Sequence, residues 1–94
     1  MASRRDLKKD ITYLYAELLT ECFTISCLSP TCNQEKADAL MAKIATNSYQ
    51  FVKRAGRYDA KNNPALVKAY YKKLGEALLQ DVLSIGKELE ELSK

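Results

Sequence analysis

Glu17, Glu21 and Asp81 are the carboxylates of this chain best placed for joint chemistry, since helical spacing sets them at similar heights flanking one seam. Paired carboxylates can hold metals in helical bundles or divide acid and base roles. The di-metal bundles built this way also need a Glu-x-x-His turn, and this chain has no histidine. A glycine-rich phosphate loop and a nucleophile motif are missing as well. The reading is therefore a protein that is not an enzyme, with no catalytic residue, no metal site and no cofactor. Glu21 becomes a boundary residue, paired with a lysine such as Lys43 or bonded to a tyrosine hydroxyl.

Cys22, Cys27 and Cys32 lie within eleven residues. Their odd number argues against a disulfide framework, and five-residue spacing matches no zinc pattern. They read as small apolar or loop residues kept reduced, with a reversible Cys27–Cys32 bridge as the lesser alternative. Met1–Asp10 is charged and no apolar signal region follows it, so a cytoplasmic location is expected. No window approaches the 18 or so apolar residues that a membrane span needs.

The elements that position these groups are all helical. Only three glycines and two prolines interrupt 94 residues, which favours long helices over many short strands. Ser3 is the expected cap of a first helix over residues 4–28, whose apolar stripe is Leu7, Ile11, Leu14, Leu18, Cys22 and Ile25. Ser29-Pro30 stops it, because residues before proline avoid helical geometry. Asn33 caps a second helix over 34–56, with Ala37, Leu40, Met41, Ile44, Ser48, Phe51, Val52 and Ala55 as its stripe. Gly56 ends that helix, and Asn63-Pro64 restarts the chain as cap and first helical residue. The third helix, 64–92, carries Val67, Tyr71, Leu74, Leu78, Val82, Ile85, Leu89 and Leu92. The period passes through Gly75 and Gly86 unchanged, so they read as close-packing points and not breaks. Three similar helices on short loops predict one domain over residues 1–94, an all-α, up-down-up antiparallel three-helix bundle.

That topology sorts the charge. One end collects Arg4, Arg5, Lys8, Lys9, Lys53, Arg54, Arg57, Lys61, Lys68, Lys72 and Lys73 against only Asp6, Asp10 and Asp59. The rest of the bundle holds Lys36, Lys43, Lys87 and Lys94 against nine carboxylates. Cations at a helix start and anions at a helix end oppose the helix dipole, by roughly 0.3–1 kcal/mol each at low salt. The first and third helices accept that penalty, so helix stability does not explain their pattern. Pairing between neighbouring helices and uneven sorting by chance are the bland alternatives.

The reading of function follows from that polarity. The protein is expected to be a protein–protein interaction module, meeting another protein or a copy of itself, with Arg4, Arg5, Lys8, Arg54, Arg57, Lys72 and Lys73 facing an anionic partner. Leu19, Phe23, Leu79 and Leu83 lie far enough from the seams to form an oligomer contact, or to pack against the first loop or the bundle edge. The alternative is a nonspecific nucleic-acid binder using the same basic end, with Tyr58, Tyr70 and Tyr71 for stacking. It lacks a reading element, because the loops set no recognition helix. Neither a membrane nor a small-molecule substrate is implied.

The strings Arg4-Arg5-Asp6-Leu7-Lys8-Lys9-Asp10-Ile11, Glu21-Cys22 and Tyr70-Tyr71-Lys72-Lys73-Leu74 give the chain a resemblance to small uncharacterised all-helical proteins of gut anaerobic bacteria. The resemblance covers nearly the whole length. It implies a cytoplasmic helical protein and carries over no activity, ligand or site residue.

Overall fold

The computed structural model describes residues 4–57 and 64–93. Three helices occupy them: α1 (Arg4–Leu28), α2 (Gln34–Arg57) and α3 (Pro64–Leu92). The expected caps at Ser3 and Asn63 lie outside the described residues, as do Tyr58, Asp59 and Lys61. Asn33 does cap α2, its side-chain oxygen accepting from Lys36 N at 3.2 Å. α1 stops ahead of Pro30, and Gln34 Nε2 donates to the free carbonyl of Ser26 at 2.8 Å. α2 runs through Gly56 to Arg57, one residue past the expected end.

The chain runs up, down and up. Lys8, early in α1, lies over Gly56 near the end of α2. At the other end Cys22 Sγ reaches the Ala37 carbonyl at 3.6 Å. Between α2 and α3, Lys43 meets Glu88, Asn47 meets Asp81, and Arg54 and Ala55 meet Tyr70 and Tyr71. The resulting bundle measures 55 × 19 × 19 Å. α1 and α2 pack along most of their lengths, whereas α1 and α3 approach each other least.

Its core is one apolar cluster. Ile11, Tyr15 and Cys22 come from α1, Leu40, Ile44, Phe51 and Ala55 from α2, and Leu74, Ile85 and Leu89 from α3. Full burial of side chains this size stabilises by about 1.5–3 kcal/mol each. Tyr15, 1% exposed, is the largest fully buried side chain and did not belong to the expected α1 stripe. It stacks near Phe51 with ring centroids 6.0 Å apart. Leu14, its neighbour in sequence, is only half-buried.

The glycines of α3 correct the close-packing expectation. A Cβ added at Gly75 or Gly86 would meet nothing within 4 Å. Both glycines point away from α1 and α2.

Candidate basic interface

The bundle draws the described part of the basic end together from three helices: Lys8 and Lys9 of α1, Lys53 and Arg54 of α2, and Lys68, Lys72 and Lys73 of α3. The side chains of Arg4, Arg5 and Arg57 lie outside the described residues, so their part in the expected site is not placed. Among the described residues none of the seven cations has a carboxylate within 4.0 Å; the ion pair seen there is Lys43–Glu88, at 2.8 Å and far from this end.

Lys8 and Lys53 line a shallow groove between α1 and α2 whose floor is Tyr49, Val52 and Gly56. Antiparallel packing produces it: the start of α1 crosses the last turns of α2, and Gly56, having no side chain, leaves room for the Lys8 stem to lie down. The Lys53 ammonium stands 6.0 Å from the centroid of the exposed Tyr49 ring, at the outer reach of a cation–π contact. Tyr49 was not among the expected site residues. Its only sequence signal is an aromatic one turn before Lys53 and outside the α2 stripe.

Arg54 differs. Its guanidinium lies 5.3 Å from the Phe51 ring centroid and is half-buried, so part of its role is packing. Its carbonyl accepts from the Tyr70 hydroxyl at 2.8 Å, and the Ala55 carbonyl accepts from Tyr71 at 2.7 Å. Carbonyls in the last turn of a helix have no partner within it. Two successive tyrosines of α3 therefore close the C-terminus of α2, and they pack edge to face at 5.3 Å while doing so. Both hydroxyls are thus engaged within the fold and both side chains are half-buried.

The carboxylates expected at one height are not assembled. Glu17 and Glu21 are exposed on α1. Asp81 is turned inward instead: Oδ2 accepts from the Tyr15 hydroxyl at 2.5 Å and Oδ1 from Asn47 Nδ2 at 2.9 Å. The tyrosine–carboxylate bond expected at Glu21 is thus made by Asp81, and Lys43 pairs with Glu88 rather than Glu21. Burial, the hydrogen bond to Asp81 and the charge of Asp81 together push the Tyr15 hydroxyl well above its ordinary pKa. Burial, followed by nearby Cys32 and Asp38, raises that of the Cys22 thiol. All three cysteines are free thiols, with Cys27 exposed and Cys32 half-buried. Among the described residues no group of carboxylates and thiols could hold a metal ion, and no helix is long and apolar enough to cross a membrane.

Leu19, Phe23, Leu79 and Leu83 are all exposed, Phe23 at 58% and Leu83 at 53%, with Leu19 the most covered at 36%. The Tyr15–Asp81 bond sets Leu19 of α1 within about two residues of the level of Leu83 on α3.

No protein family, curated protein or solved structure matches the chain.

Proposed function

We propose that this is a non-enzymatic interaction module of the cytoplasm that grips an acidic protein segment in the Lys8–Lys53 groove. The observation that carries the reading is two unpaired ammonium groups beside an apolar floor of Tyr49, Val52 and Gly56. An acidic side chain would meet the lysines, and a neighbouring apolar side chain would cover Tyr49 and Val52. Exposed aromatic residues are the usual anchors of such contacts. Lys68, Lys72 and Lys73 add long-range attraction that quickens encounter and fades with salt. Free thiols fit a reducing compartment.

A nucleic-acid role draws on the same charge, but two of its stacking groups, Tyr70 and Tyr71, are engaged at the end of α2. The test is fluorescence anisotropy with three labelled ligands: an acidic peptide containing leucine and phenylalanine, duplex DNA and single-stranded RNA. The expected result is peptide binding that weakens with salt, weakens about tenfold or more in Lys8→Glu/Lys53→Glu, and weakens in Tyr49→Ala without change of salt slope. Preferential DNA or RNA binding would favour the alternative. Silence from all three ligands at low salt would overturn both.

A further inference from the structure

The solvent face of α3 is built with a symmetry that nothing inside the bundle uses. Leu79 and Leu83 are 58% and 53% exposed. At about 100° per residue they sit roughly 120–160° around α3 from the buried Ile85. Lys72 and Glu90 lie on the same outward line, 18 residues and five turns apart, about 27 Å along the axis. The two leucines stand between them, two residues either side of the midpoint at residue 81. Glu76 and Lys87, centred half a residue to one side of 81, lie on one flank, and Gly75 and Gly86, centred half a residue to the other side, lie on the opposite flank. Lys72, Glu76, Lys87 and Glu90 are exposed side chains with no ion-pair partner within 4.0 Å among the described residues.

We propose that this face docks a second copy of the chain, with the two α3 helices antiparallel about a two-fold axis level with residue 81. A symmetric contact must place each residue against its mirror position in the partner. Here Leu79 faces Leu83 of the second copy, Lys72 faces its Glu90, and Glu76 comes within one residue, about 1.5 Å, of the level of its Lys87. Both charge pairs are opposite in sign and occur twice. The parallel arrangement would instead set Lys72 against Lys72 and Glu90 against Glu90, which is repulsive. Charge therefore selects the orientation while the leucines supply the buried apolar area. Gly75 comes within one residue of the level of Gly86 of the second copy, so the backbones can draw close along that flank.

The proposal extends the interaction-module reading but uses a face separate from the Lys8–Lys53 groove. The dimer would present one groove toward each end, ready for two acidic segments at once.

Sedimentation velocity from micromolar to near-millimolar concentration, in low salt, tests it. The wild-type chain is expected to move from monomer to dimer mass. Lys72→Glu and Glu90→Lys each turn two attractive pairs repulsive, and each should weaken association about tenfold or more. The double variant Lys72→Glu/Glu90→Lys restores both pairs only in the antiparallel arrangement and should regain the dimer. Leu79→Gln/Leu83→Gln should stay monomeric with an unchanged helical melt. A wild-type chain that remains monomeric throughout, or a double variant that fails to recover, overturns the proposal. A monomer that still binds acidic peptide would overturn self-association alone and leave the groove reading standing.

Discussion

The Tyr15 hydroxyl of α1 donates to Asp81 Oδ2 of α3 across 2.5 Å, although 66 positions separate the two residues. The other oxygen of the same carboxylate accepts from Asn47 on α2. One side chain thus holds all three helices at a single level. The Tyr15 ring is buried while Asp81 keeps part of its edge in water, so the carboxylate keeps hydration on one side and strong partners on the other.

Tyr15→Phe keeps the packing of the ring and removes the donor. Hydrogen bonds to charged groups contribute about 1.5–3 kcal/mol, and partial hydration of Asp81 places this one near the lower end. A loss of about 1–2 kcal/mol is expected in urea denaturation at neutral pH. A double cycle with Asp81→Ala should give a coupling of similar size. An unmoved midpoint would show that water serves Asp81 as well as Tyr15 does.

Alkaline pH should weaken the fold through the same residue. The folded-state pKa of Tyr15 is raised, so its stabilising contribution is complete below the unfolded value near 10 and is lost as pH climbs above it. The slope attributable to this group is at most about 1.4 kcal/mol per pH unit. Denaturation of wild type and Tyr15→Phe at a series of pH values should show their difference shrinking above about pH 10. Parallel curves would place the alkaline loss on other groups, Cys22 among them.

Gly75→Ala and Gly86→Ala should each stabilise the monomer by about 0.5–1 kcal/mol, because a methyl there meets nothing and alanine is the better helix former. Thermal melts at low protein concentration check this. Gly56→Ala should gain less, since the new methyl must displace the Lys8 stem. Destabilisation at Gly75 or Gly86 would mean that these sites are covered.

Removal of the Lys43–Glu88 pair should matter far less than a hole in the core. The pair is about two-fifths exposed, so Lys43→Ala is expected to cost under about 0.5 kcal/mol and to lose even that in high salt. Ile85→Ala, at a position with no exposure, should cost about 2–5 kcal/mol. Chemical denaturation of both variants gives the comparison.

The boundaries of the fold were legible because they are written locally. Asn33 caps α2 with its own side chain, and Pro30 halts α1 by a clash with its neighbour. Tyr15 was not legible, since three- and four-residue steps through Leu14 and Leu18 fit the same periodicity and its partner lies 66 residues away. The glycines of α3 misled for a related reason: period alone does not say whether a glycine faces a neighbour or solvent. Tyr70 and Tyr71 looked like free aromatics beside lysines until α2 was seen to end beneath them. The Lys8–Tyr49–Lys53 groove joins residues from two helices whose relative rotation no local spacing encodes.

The slight contact between α1 and α3 gives the molecule a weak seam. The α1–α2 hairpin can keep its shared apolar packing while α3 lifts from its polar fastenings at Asp81, Glu88, Tyr70 and Tyr71. Amide hydrogens of α3 should then exchange with deuterium ahead of those in the hairpin, giving a partly opened form with Leu74, Ile85 and Leu89 bared. Such a form would be the sticky species in a concentrated solution, and any contact that clamps α3 from outside would suppress it.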